Sequence, residues 1–304
     1  MKLRILAGLA LASSLLAPAF CAAAPATPAK FASGALQVEA LGDKGPAVIL
    51  IPGLASGPWA WRDTAPRLSR DHVVYLLTLP GFDGRAPQPG VTLESLQRDL
   101  LALIEKKKLA RPVLVGHSLG GTLSLAFATE HSDRIAGVVA VDGMPVFPGT
   151  EAATDRKSMA DATRAQFGAQ TRQQFEGGQQ MYMRSIGVLS EPLATELAAL
   201  ASRSDIGATA DFAAQIMAID LRPKLAQIRV PVVEISPFNA PDFARIGVDE
   251  AGKTGYYRML LNGTPTLDVV SISPARHFVM FDQPEKFAAA LDQALANMVE
   301  SKTK

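Results

Sequence analysis

The stretch RPVLVGHSLGGTLSLAFATE, from Arg111 to Glu130, admits very few backbone solutions. A wholly apolar run, Val113 to Val115, breaks into Gly116-His117-Ser118-Leu119-Gly120-Gly121 and then resumes as an Ala/Leu pattern of helical character. The pattern predicts a strand, a very sharp turn and a helix. Glycine two residues before and two after Ser118 is a steric requirement of that turn, because strand and helix approach too closely to admit a Cβ. Ser118 is thereby forced out at the tip, at the positive end of the helix after it.

The rest of the chain repeats the strand-helix rhythm. Leu36, Val38 and Ala40 share one face of an edge strand, and Ala47 to Ile51 is apolar at every position, as a strand covered on both faces of a parallel sheet must be. His72 to Leu79 and Ile135 to Val141 read the same way. Between them Thr92 caps a helix whose Leu93, Leu96, Leu100, Leu103 and Ile104 form one stripe. Alternation of this kind predicts an α/β fold with a mostly parallel sheet and right-handed crossovers. The rhythm stops from Met144 to Asp220, where three segments of helical period (Thr154 to Arg184, Glu191 to Ser202 and Thr209 to Ile219) contain no strand-like run. It resumes at Val230 to Ile235 and Leu267 to Ile272, and a final helix opens on Pro284.

Met1 to Cys21 has a basic start (Lys2, Arg4), an apolar run from Ile5 to Leu16 and Pro18 before small residues, the layout of a secretory signal peptide. Residues 1–24 are therefore expected to be removed and the protein exported, to the periplasm or beyond, with residues 25–34 left as a flexible tail. The apolar run is short for a spanning helix, so no stable membrane anchor is expected. The only cysteine, Cys21, lies in the leader, which leaves the mature chain without a disulfide. Removing the leader takes two of 30 basic residues and none of 29 acidic ones, moving the net charge from +1 to −1. A surface so balanced gives no argument for nucleic acid as a partner. The histidines and cysteine are not spaced as a metal set and no glycine-rich phosphate loop comes after a strand, so neither metal nor cofactor is called for.

GHSLGG in its strand-turn-helix setting resembles the nucleophile elbow of the α/β-hydrolase family, and the resemblance runs from about Leu36 to the end, apart from the helical stretch. It implies an α/β-hydrolase core at 35–143 and 221–304, with residues 144–220 inserted as a helical cap over the active site. It implies Ser118 as nucleophile and His277, directly after the last strand, as its base. The loop after Ile51 matches the family's oxyanion loop at Gly53-Leu54, with Pro52 in place of the usual histidine, so the amides of Leu54 and Leu119 are expected to hold the oxyanion. The family's acid usually comes after the strand before the last, which selects Asp242. Some members place it after the strand next to the elbow helix in sequence, where Asp142 stands, and chain order leaves both open.

The same resemblance implies a serine hydrolase acting on a small-molecule acyl substrate, a carboxylic ester first, through an acyl-enzyme. Amide, thioester, lactone or carbon-carbon hydrolysis and perhydrolase activity are alternatives on the same triad, and a non-catalytic ligand-binding member is the alternative from another class. Dehalogenase and epoxide-hydrolase chemistry is disfavoured, since those relatives carry Asp at the position of Ser118.

Overall fold

A computed structural model describes residues 29–300. The expected signal peptide, Cys21 and the first residues of the expected tail lie outside that range. One eight-stranded sheet organises the chain: β1 (Ala29–Ser33), β2 (Leu36–Leu41), β3 (Ala47–Ile51), β4 (Val73–Thr78), β5 (Val113–His117), β6 (Gly137–Val141), β7 (Val232–Pro237) and β8 (Leu267–Ile272). Their spatial order is β1-β2-β4-β3-β5-β6-β7-β8. β1 and β2 pair antiparallel at one edge, β2 joins β4 antiparallel, and every pairing from β4 to β8 is parallel.

The central strands are apolar throughout because both faces are covered. Val48 and Leu50 of β3 point into one core with Trp61, Leu68 and Phe287, while Ile49 and Ile51 point into the other with Leu96, Leu100 and Phe127. Helices α1 (Thr64–Leu68) and α2 (Leu93–Lys106) precede β5. Thr92 and Ser95 close a reciprocal cap at the start of α2, and its five apolar stripe residues are buried. Each such side chain contributes about 1.5–3 kcal/mol on leaving water. Helix α3 (Leu119–His131) starts at the elbow itself.

Between β6 and β7 come α4 (Arg156–Gly168), α5 (Arg172–Tyr182), α6 (Glu191–Ala201) and α7 (Ile206–Ala218). The two ends of this excursion are pinned together: Val146 bridges Asp220, and the Leu221 amide donates to the Pro145 carbonyl at 2.8 Å. The segment from Thr154 to Arg184 is divided, since Thr171 and Gln174 form a capping box that starts α5 afresh. Helices α8 (Ala240–Phe243), α9 (Glu250–Leu260), α10 (Val279–Asp282) and α11 (Pro284–Glu300) complete the chain.

One expectation needs correction at the amino end. Residues 29–33, read as part of a flexible tail, form β1 in register with Leu36 to Ala40. Lys30 pairs with Glu39 at 2.9 Å, the Lys107 ammonium sits 3.9 Å above the Phe31 ring, and the Ala35 amide beyond the turn donates to Asp99. These contacts hold a segment whose own apolar content is small.

Candidate active site

Strand order reverses beside β3: the chain leaves it for β4 on one side and returns to β5 on the other. Loops after adjacent parallel strands diverge at such a point and open a crevice at their carboxyl ends. The loop after β3 carries Leu54, and the turn after β5 carries Ser118.

Ser118 has φ 53° and ψ −119°, a conformation that L-residues rarely adopt and that the surroundings must impose. A Cβ on Gly116 would lie 2.1 Å from the Gly120 carbonyl oxygen, and one on Gly120 would lie 2.3 Å from that of Ile51, so both positions exclude any side chain. The Ser118 amide donates to the Val141 carbonyl at 2.9 Å, tying the turn to the end of β6. As a first-turn amide, that of Leu119 has no partner within its own helix. A Cβ on Gly53 would come 3.1 Å from the Ser118 Cβ, which measures how closely the Leu54 loop abuts the serine.

His277 lies beyond β8, its amide donating to the Ile186 carbonyl at 3.0 Å and the next amide, of Phe278, to Gly187 at 2.9 Å. Its Nδ1 donates to Asp142 Oδ2 at 2.6 Å. Because a carboxylate only accepts, Nδ1 carries a proton, and the other ring nitrogen, Nε2, is turned to the far side of the ring from Asp142. Asp142 itself has φ 50° at the end of β6, and the Tyr257 hydroxyl donates to its other oxygen. Burial alone would raise the Asp142 carboxyl, but the His277 hydrogen bond, the Lys253 ammonium and the Tyr257 hydroxyl together hold it well below the usual carboxylate range.

Asp242 is elsewhere engaged, and its assignment as the partner of His277 is corrected here. Both its oxygens accept from Arg276 at 2.8 Å. The same guanidinium donates to the carbonyls of Arg184 and Val188, so the pair fastens the helical excursion to the loop before His277. Of the two carboxylates left open by chain order, Asp142 meets the histidine and Asp242 does not.

Three neighbours escaped the sequence reading. His117, wholly buried, has its ring centroid 4.4 Å from that of His277, the planes tilted by 53°, and donates from Nε2 to the His277 carbonyl at 3.0 Å. Burial above all holds its pKa far down, so it is neutral. Glu234 has no exposed surface and is raised well above the usual range, by burial first and then by Asp142; one oxygen accepts from the Gly143 amide at 3.3 Å. A glutamate inside Val232-Val233-Glu234-Ile235 was the available signal, because a charge in a strand covered on both faces needs a reason. Tyr257, on α9, carried no pattern that could have marked it.

Leu54, Ser118, Leu119, Asp142 and His277 all line one cavity of about 570 Å³. Residues of α4, α5 and α7, among them Phe167, Tyr182 and Met217, cover it. A hydroxyl, an imidazole, a carboxylate hydrogen-bonded to it and the two residues Leu54 and Leu119 thus share one cavity. Such a set can move the hydroxyl proton and stabilise a negative oxygen.

Comparison with known proteins agrees with this architecture. The profile of the alpha/beta hydrolase family matches residues 48–290. Pimeloyl-[acyl-carrier protein] methyl ester esterase of Vibrio atlanticus (strain LGP32) is 26% identical over 211 residues, covering 63% of this chain and 75% of that protein. A carbendazim hydrolyzing esterase of Nocardioides sp. (strain SG-4G) is 38% identical over 97 residues, which span 31% of this chain and only 40% of the esterase. Among solved structures, the enol-lactonase from Burkholderia xenovorans LB400 superposes with a TM-score of 0.68 at 22% identity, over 88% of this chain and all of that one (100%).

Proposed function

The chain belongs to the alpha/beta hydrolase family, and from that premise we propose that it is an exported serine hydrolase that cleaves carboxylic esters through an acyl-enzyme. The observation that carries the reading is the Asp142–His277 hydrogen bond in a cavity that Ser118 also lines. In this reading Ser118 Oγ attacks the ester carbonyl carbon while His277 Nε2 takes the hydroxyl proton, and the Leu54 and Leu119 amides receive the oxyanion. The bond to the alcohol oxygen then breaks as Nε2 returns the proton to the leaving group. Water, deprotonated by the same nitrogen, adds to the acyl carbon, the bond to Oγ breaks, and the proton goes back to Ser118. Asp142 fixes the Nδ1–H tautomer and stabilises the imidazolium. Helices α4, α5 and α7 act as the cap that bounds the substrate.

Support for ester chemistry comes from the two esterases to which the chain is similar. Support for export comes from the composition of Met1 to Cys21, and the mass of the mature amino terminus from cells tests it. Hydrolysis of p-nitrophenyl butyrate by the wild type and Ser118→Ala tests the chemistry. A loss of about 10³-fold or more is expected, because the serine is the group that bonds to the substrate. Equal rates would refute the reading.

A further inference from the structure

The cavity around Ser118 is shaped by charge as much as by size. Among the described residues, none that lines it is Lys or Arg, and its only carboxylate is Asp142, already engaged by His277 and Tyr257. The polar remainder of its cap side is neutral: Thr163, Gln170, Gln179, Tyr182 and Thr209. Cations around it are engaged elsewhere, Arg156 with Asp220, Arg164 with Asp211, Arg276 with Asp242, and Lys253, outside the lining, with the Pro237 carbonyl and the Tyr257 ring. Two apolar lining residues, Phe147 and Ile186, are 42% and 51% exposed and therefore mark where the cavity meets solvent. The lining is thus largely apolar, and its polar cap-side groups carry no charge.

Resting on the acyl-enzyme reading above, we propose that the site takes uncharged esters with an apolar acyl chain and rejects esters whose acyl chain carries a carboxylate. A chain of methylenes gains on leaving water, by about fourfold in affinity for each one buried. A carboxylate carried to the same place loses its hydration, meets no cation in the lining, and approaches the negative charge of Asp142. An unpaired buried charge costs several kcal/mol, which corresponds to ~100-fold or more in kcat/KM. Amide and hydroxyl groups of Gln170, Gln179 and the threonines can hydrogen-bond a neutral polar atom but cannot supply the missing positive charge.

The experiment compares three p-nitrophenyl esters of similar length with wild-type enzyme at pH 7.5, corrected for spontaneous hydrolysis: the heptanoate, the adipate monoester, and the adipate monoester methylated at its free end. We expect kcat/KM for the heptanoate to exceed that for the anionic adipate by ~100-fold or more, with the methylated adipate within about tenfold of the heptanoate. A heptanoate-to-adipate ratio below about 30 overturns the proposal, because the desolvated charge then costs too little. So does a methylated adipate as slow as the free acid, since shape and not charge would then decide. Ser118→Ala separates the two levels of the argument. Hydrolysis of both esters that disappears in Ser118→Ala yet shows no charge preference overturns this proposal alone. Heptanoate hydrolysis that is absent, or that survives in Ser118→Ala, overturns the acyl-enzyme reading and this proposal with it.

Discussion

Glu234→Gln should stabilise the protein, and by an amount that grows with pH. Glu234 is wholly buried in β7, paired in register with Ala140 of β6 just before the turn that aims Asp142. Its Oε1 accepts from the Gly143 amide, and its Oε2 is buried without a hydrogen-bond partner among the described residues. Burial and the nearby Asp142 charge raise its pKa in the folded state. Below the unfolded value, about 4.3, both states hold the proton and the group has no pH-dependent effect. Above it the unfolded chain releases the proton while the folded chain keeps it, so stability falls by about 1.4 kcal/mol per pH unit until the folded pKa is passed. Glutamine is neutral throughout and can still accept from Gly143. Wild type and variant should therefore differ little at pH 4 and diverge as pH rises, by about 2–4 °C in Tm for each kcal/mol in a domain of this size. Urea unfolding followed by far-ultraviolet circular dichroism between pH 4 and 8 measures the difference. Parallel profiles, with a gap that does not change with pH, would refute a protonated Glu234.

Asp142→Asn should lower kcat on p-nitrophenyl butyrate by about 10⁴-fold, the scale of losing the charge behind a catalytic histidine, while Asp242→Asn stays within about tenfold because its partner is Arg276. Comparable losses in the two variants would mean that the hydrogen bond to His277 does not identify the acid. Asp142 also carries a stability signature: its folded pKa is depressed, so its contribution is present above about pH 4 and is lost as pH falls below that, and acid unfolding of Asp142→Asn should be correspondingly flatter. His117→Phe keeps a ring beside Phe278 but removes the donor to the His277 carbonyl; we expect a loss of about 1–3 kcal/mol in urea unfolding, and unchanged stability would show that the bond contributes nothing.

The elements that chain-local physics determines were legible in the sequence. The elbow needs glycine where backbones nearly touch, and the short apolar runs at Ala47–Ile51 and Ile135–Val141, rich in β-branched residues, fit strands covered on both faces. Thr92 and Pro284 start helices α2 and α11 through chemistry within one turn. The acid is a different kind of question, because both loops end near the same edge and only tertiary competition decides between them. Arg276, adjacent in sequence to His277, captures Asp242 with both arms of its guanidinium. Tyr257, from a helix more than a hundred residues away in sequence, secures Asp142. Residues 29–33 were misread for the same reason, since an edge strand with little apolar content is defined by its neighbours. The capping box at Thr171 and Gln174 was readable, and would have divided the long helical segment in advance.

Covalent labelling with an alkyl fluorophosphonate, read by intact mass and by peptide mapping, tests the acyl-transfer reading most directly. One equivalent should attach to the wild type at Ser118, none to Ser118→Ala, and His277→Ala should label far more slowly because its serine lacks a base. An unlabelled wild type, a label on any other residue, or equal labelling of Ser118→Ala would contradict the assignment of Ser118 as the nucleophile.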